Sequence, residues 1–314
     1  MRNKDVIEPL TKLLLPVDGS EPSLRAVSFA ARLALLLNGR IAKATLLHVI
    51  SGHYLSSHMG NVDLRAETIL KDKTVKQLKK HYLETSINPI IEKAREIFSQ
   101  TAPDTTLDST VSEGETADII ATLAEKGGYS TIVMGRRGIS LAAEVLLGSV
   151  TLKLLHMDHI KTVYIAGNTA PEDLSPQPLL IPLDGSPHAL SAIHEAALLA
   201  NAGQSRIILL NVINIAYCAG RIGMGEDLGL EAEKVINEGR KLLIEKGIDS
   251  KRISASIRYG SPAGEILRVA KEGGPCLILM GRQGRSALKD ILLGSVSNEV
   301  IHKSTDHTIG MVTR

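Results

Sequence analysis

Tryptophan is missing from this chain of 314 residues, and aromatic residues make up only 3% of it. The six tyrosines (Tyr54, Tyr82, Tyr129, Tyr164, Tyr217 and Tyr259) are scattered and form no stacking platform, which argues against a binder of single-stranded nucleic acid. Cysteine is nearly absent as well. Cys276 lies in the apolar run PCLILM and reads as a buried thiol, Cys218 is the other, and such usage fits a reducing cytosol. The net charge of +2 is too small to draw a nucleic acid or a membrane surface by bulk electrostatics. Apolar runs such as LALLL (33–37) fall far short of a membrane span, and MRNKDVIEPLTK has no signal-peptide core. A cytoplasmic protein is expected. No G-x4-G-K-[ST] phosphate loop, nucleophile elbow or Ser-His-Asp order is present.

What the sequence does have is an internal repeat. LLLPVDGS (13–20) returns as LLIPLDGS (179–186), LLHVI (46–50) as LLNVI (209–213), and GETADII (114–120) as GSPAGEI (260–266). MGRRGISLAAEVLLGSVT (134–151) returns as MGRQGRSALKDILLGSVS (280–297), with ten of eighteen positions identical. Four matches in one order indicate duplication. The offset falls from 166 at the first match to 163 at the second and 146 at the last two, so the first copy carries extra residues within 51–86. The proline-bearing stretch GNTAPEDLSPQP separates the copies, which sets a first domain at 1–166, a linker at 167–178 and a second domain at 179–314.

Within each copy, short continuous apolar runs alternate with helical spacings. KLLLPV, IAKATLLHV, TLDSTVSE, STIVM and KTVYIA read as strands, and residues 26–37, 88–98, 116–126 and 149–156 as helices. The second copy repeats the order and ends in HTIGMV (307–312). Strand–helix alternation of this kind predicts an α/β fold: two tandem copies of an open, five-stranded parallel sheet of Rossmann-like type, with helices on both faces.

The glycine phrases carry the chemistry. Gly135 follows a strand, where a glycine permits a sharp turn and leaves backbone N–H groups uncovered. Ser149, after Gly148, falls where a helix N-cap should be, and a helix N-terminus offers donors and positive potential to phosphate. Thr151 and Ser297 add hydroxyls on the first turn, and Arg136 and Arg282 add charge nearby. Ordinary turn and cap chemistry accounts for the same residues. One helix terminus contributes roughly 0.3–2 kcal/mol, against about 8 kcal/mol for a micromolar ligand, so a base pocket must assist. Asp18 and Asp184, each ending a first strand, suit that pocket if the first and fourth strands are neighbours, since ligands of open α/β sheets bind at such switch points. The same aspartates are equally suited to stabilising their own turns before the helix that follows.

These phrases, with PVDGS and LLHVI, resemble the universal stress protein family in its tandem two-domain form. Nucleotide-binding members of that family carry G-x2-G-x9-G-[ST] after the fourth strand. Gly135, Gly138, Gly148 and Ser149 fit that spacing, as do Gly281, Gly284, Gly294 and Ser295. The resemblance implies ATP, with or without Mg2+, bound at the strand ends. It places Asp18 near the adenosine, Val49 at the adenine, Met134 and Gly135 at the start of the loop over the ribose and phosphates, and Gly138, Gly148, Ser149, Val150 and Thr151 on the phosphates. Asp184, Val212, Met280, Gly281, Gly284, Gly294, Ser295, Val296 and Ser297 are their equivalents in the second copy. It also implies that the last strands of the copies pair, and that whole chains associate as homodimers. The extra segment of the first copy leaves equal affinity of the two sites open.

Three function classes follow. The first is a non-catalytic, nucleotide-responsive stress regulator. The second is a slow ATPase or adenylyl-transfer enzyme, which needs a metal-holding carboxylate and has only Asp18 and Asp184 to supply it. The third is a protein-interaction module with a structural nucleotide. His48, His53 and His58 lack the converging ligands of a metal site, and the basic run LKDKTVKQLKKHY reads as the wet face of a helix.

Overall fold

The computed structural model describes residues 11–51, 77, 80–136, 148–155, 157, 160–169, 174–214, 227–274, 277–283 and 293–313. Most of the extra segment, Cys218, Cys276, His53 and His58 lie outside these residues, as do Gly138 and Gly284.

The first half runs β1 (Lys12–Pro16), α1 (Glu21–Leu36), β2 (Lys43–Ile50), α2 (Asn88–Thr101), β3 (Thr106–Glu113), α3 (Thr116–Gly127), β4 (Thr131–Gly135), α4 (Ser149–Leu155) and β5 (Thr162–Ala166). The second runs β6 (Leu179–Pro182), α5 (Pro187–Gly203), β7 (Ile207–Ile213), α6 (Leu228–Glu245), β8 (Ile253–Tyr259), α7 (Pro262–Glu272), β9 (Leu277–Gly281), α8 (Ser295–Lys303) and β10 (Thr308–Val312). A π turn, Leu83–Ile87, leads into α2 with no break, a feature that apolar spacing did not predict.

All ten strands form one sheet in the order β3-β2-β1-β4-β5-β10-β9-β6-β7-β8. Each half is parallel throughout, and β1–β4 and β6–β9 are neighbours. The halves join where β5 and β10 run antiparallel, with Tyr164 opposite Gly310 and Val163 opposite Met311. The central strands are buried on both faces, which is why their sequences are continuous apolar runs rather than alternations. Residues on either side feed two cores. One holds Leu13 and Leu15 with α1, α2, α5 and α6; the other holds Leu14 with α3, α4, α7 and α8. Both cores cross the junction between the halves. Of the outermost strands, β3 is largely polar and β8 alternates apolar with polar residues, and both are mostly exposed or half-buried, as suits sheet edges.

The junction is not symmetric in its side chains. Tyr164 is fully buried, and its ring centroid lies 5.3 Å from that of Phe29. A Cβ on Gly310 would lie 2.8 Å from the Tyr164 ring and 2.5 Å from Leu279, so the glycine makes room for the tyrosine. From α5, Glu195 accepts hydrogen bonds from the Thr162 hydroxyl at 2.6 Å and from the Tyr164 hydroxyl. Burial pushes the Glu195 carboxyl above its usual range, while the two bonds oppose that rise.

Candidate functional site

Each half opens a cavity at the carboxyl ends of its strands, beside the neighbouring first and fourth strands, where open α/β sheets bind ligands. The second-half cavity has a volume of about 510 Å3 and the first about 700 Å3, both within the range of small-ligand sites. Asp184, Val212, Met280, Gly281, Gly294, Ser295, Val296 and Ser297 line the second. Asp18, Val49, Met134, Gly135, Gly148, Ser149, Val150 and Thr151 line the first. The fold thus gathers the described candidates of each half around one cavity, apart from the two arginines.

The aspartates stabilise their own turns and also line the cavities. Asp18 Oδ1 accepts from the Ser20 backbone N–H at 3.0 Å and from its hydroxyl at 2.6 Å, and Asp184 Oδ1 accepts from Ser186 N–H at 2.9 Å. Each carboxylate therefore shapes the turn before its helix while it also faces its cavity. Ser20 and Ser186 in turn cap α1 and α5, accepting from Ser23 N–H at 3.3 Å and Ala189 N–H at 3.2 Å.

The glycine phrase differs from expectation in three ways. First, α4 and α8 begin at Ser149 and Ser295, so the serines are the first helical residues and glycine precedes them; Gly294 is the N-cap of α8 and supplies no side-chain cap. The opening N–H groups of α8 thus have neither a cap nor an intrahelical partner. Second, Gly135 and Gly281 lie at strand ends pressed against a helix. A Cβ there would lie 2.6 Å from the Pro22 backbone carbonyl and 2.5 Å from His188 C, so close approach, not a sharp turn, requires glycine. Third, Arg136 and Arg282 are buried and point away from their own cavities, onto backbone carbonyls of the opposite half. A charge beside a phosphate-type glycine phrase suggests an anion contact, but the carbonyls at the ends of α8 and α4 are nearer partners.

Hydroxyls tie the site together. Ser297 Oγ donates to Gly281 O at 2.9 Å, joining the first turn of α8 to the end of β9, and Ser186 Oγ donates to Gln283 O at 3.3 Å. Backbone bonds from Gly148 N to Arg136 O (3.1 Å) and from Gly294 N to Arg282 O (2.7 Å) close each glycine phrase at its base.

The two cavities are not copies. His48 and Asn211 occupy equivalent places: the His48 ring bonds through Nδ1 to Val17 O at 2.9 Å, and Asn211 Nδ2 donates to Leu183 O at 2.7 Å. His48 lines its cavity, and burial holds its imidazole below the ordinary histidine range. Ser51, Tyr82 and Ser86, within the extra stretch of the first copy, also line the first cavity. The second is lined by Leu152 from α4 of the first half, a contribution no local sequence pattern marked. Exposed Lys153, on α4, pairs with Glu115 at 3.0 Å and Asp118 at 2.8 Å. Among the described residues no cluster of three metal-ligating side chains occurs, and no helix is long and apolar enough to cross a membrane.

Comparison with known proteins identifies the lineage. The sequence profile of the universal stress protein family matches residues 9–160 and again 176–306. A universal stress protein of Mycolicibacterium smegmatis is 28% identical over 93% of this chain and 94% of its own length. Universal stress protein YxiE of Bacillus subtilis is 32% identical over 40% of this chain and 93% of its own. The crystal structure of a universal stress protein from Archaeoglobus fulgidus superposes with a TM-score of 0.66 at 20% identity, covering 98% of this chain and 99% of that one, which shows a shared fold. With two matched segments and one fold repeated twice, the chain belongs to the universal stress protein family, as a tandem of two such domains.

Proposed function

We propose that the protein is a non-catalytic, ATP-binding regulator of stress physiology, with one nucleotide site in each half. The observation that carries this reading is the first turn of α8, which begins at an N-cap glycine without a side-chain cap and faces a cavity of about 510 Å3. By contrast, α5, at the same strand ends, is closed by its own Ser186. Uncapped N–H donors with the positive end of a helix suit the phosphates of a nucleotide. Leu152, Val212, Met280 and Leu293 supply an apolar wall suited to a base, and Asp184 an acceptor suited to a ribose or an adenine amine. The first cavity repeats the arrangement around Asp18, Val49, Met134 and Ser149. The bound nucleotide stabilises the folded pair of halves by mass action. Mg2+, where it accompanies ATP, is carried on the phosphates. The last strands pair with each other within the chain, so a homodimer would form through other surfaces.

The test is isothermal titration with ATP, alongside a count of adenine nucleotide released from denatured protein purified without added nucleotide. Two sites per chain are expected. Ser295→Asp places a carboxylate where phosphate would sit yet suits a helix N-terminus, so the fold should persist. It should weaken the second site at least about fivefold, since like charges near 4 Å repel by about 1–4 kcal/mol at a protein surface. A protein that carries no nucleotide and binds none on titration sinks the proposal and leaves the glycines as turn and packing residues.

A further inference from the structure

Arg136 and Arg282 begin the two glycine phrases, yet each serves the opposite half. The Arg136 guanidinium donates to the Ile301 and Ser304 carbonyls, at the last turn of α8 and just beyond it. Arg282 donates to Met157 O at 2.9 Å, to Thr313 Oγ1 at 2.8 Å and to Leu155 O, at the end of α4. The backbone of each arginine stays at home: Arg136 O accepts from Gly148 N–H, and Arg282 O accepts from Gly294 N–H. Each arginine therefore holds, through its carbonyl, the glycine in front of its own site's helix. Through its side chain it holds the far end of the helix that serves the other site.

The chemistry favours a firm grip. Carbonyls in a helix's last turn have no intrahelical donor and carry the negative end of the dipole. A guanidinium is permanently charged and presents a rigid fork, so it can satisfy two of them at once in a way an ammonium cannot. Both arginines are buried, with 9% and 2% of their surface exposed, so solvent does not compete for the bonds. Helix α8 is nine residues long, about 13 Å from end to end, and rigid over that length. A shift at its held end is a shift at the cavity.

We propose that Arg136 is a positioning residue for the second cavity, and Arg282 its mirror for the first, so that the two nucleotide sites are energetically coupled through the junction. The inference rests on the ATP reading above. The competing account is that the arginines only fasten the halves together.

Titration of the full chain with ATP separates the two. In a Ser149→Asp background the first site is weakened, so the second fills first and can be read apart. There, Arg136→Met should lower ATP affinity at the second cavity by about fivefold or more, the range of typical coupling. Arg136→Lys should recover part of that loss, because its ammonium keeps the charge and can donate to a carbonyl but lacks the rigid planar fork that reaches both. With both sites intact, filling the first site should change the affinity of the second; that change should shrink in Arg136→Met, where the Arg282 link remains, and vanish in the double variant Arg136→Met/Arg282→Met. An Arg136→Met chain that melts at lower temperature but keeps the original affinity at the second cavity overturns the proposal and leaves the arginine as a fastener. If that variant does not fold, the same criterion applies to Arg136→Lys. Absence of ATP binding by the unmodified chain overturns the nucleotide reading, and this inference with it, and is distinguished from the other failures by that control.

Discussion

Alanine at Gly281 adds one methyl group to a 314-residue chain and should destabilise it strongly. The new Cβ would lie 2.5 Å from His188 C, 2.7 Å from His188 Cβ and 2.8 Å from Ala189 N. Two of these are backbone atoms of the first turn of α5, which is pinned by the Ser186 cap at 3.2 Å and by the bond from Ser186 to Gln283 O. Neither β9, at the centre of the sheet, nor α5 can retreat cheaply. Overpacking of a close-packed interior costs about 1–3 kcal/mol, and a clash with pinned backbone belongs in the upper half, about 2–3 kcal/mol. At about 2–4 °C per kcal/mol for a body of this size, the melting temperature should fall by about 4–12 °C. Gly264→Ala gives the opposite sign in the same assay. It lies inside α7, the nearest atom to a new Cβ is 3.7 Å away, and alanine in a helix is favoured over glycine by about 0.5–1 kcal/mol. Thermal melts followed by far-UV circular dichroism compare both variants with the parent. A Gly281→Ala protein that melts at or above the parent temperature would refute the claim that close approach is what requires this glycine.

Two buried ionisable groups give pH signatures of opposite sense. His48 is harder to protonate folded than unfolded, so stability should fall as pH drops through its unfolded value near 6.5. Asn211 makes the equivalent bond without titrating, so His48→Asn should flatten that acid-side loss in denaturant midpoints; an equally steep loss would discount the histidine. Glu195 is the reverse: its folded carboxyl titrates above the unfolded value of 4.5, so its contribution is full at low pH and is lost as pH rises through the folded value. Glu195→Gln should therefore lose less stability than the parent across that interval, and parallel pH curves for the two proteins would rule the carboxyl out.

The fold was legible because its signals repeat. Apolar runs such as LLL and LILM are buried in their strands, and the matched phrases recur in the order of the elements in both halves. The cavity walls around Asp18 and Asp184 were legible on one condition, that the first and fourth strands be neighbours; the sheet meets it, and the matched phrases end those strands. Other features were hidden by ambiguity at single residues. Gly-Ser before an apolar run reads as a serine N-cap, but the glycine, extended at φ −66° and ψ 150°, is itself the N-cap, so the helix starts one residue earlier, at the serine. Arg136 next to two glycines looks like an anion contact, because no local pattern reveals that the end of a helix 165 residues away lies closer. Leu152 on the wall of the second cavity is likewise a product of the junction between halves.

That junction has a consequence for the history of the chain. Tyr164 and Gly310 hold equivalent places in the two halves and face each other across the antiparallel pair. Phe29 and Glu195 are likewise equivalent, one packing on the tyrosine ring and the other accepting from its hydroxyl. Two first halves joined in the same register would set tyrosine against tyrosine in space cleared for a glycine, and would lack the carboxylate. Two second halves would set glycine against glycine and leave a void. Either would lose packing of a kind that costs about 1–5 kcal/mol in protein interiors. The halves have diverged into a lock and key, so neither can return to pairing with itself. At this seam the side chains favour pairing of unlike halves over pairing of like ones.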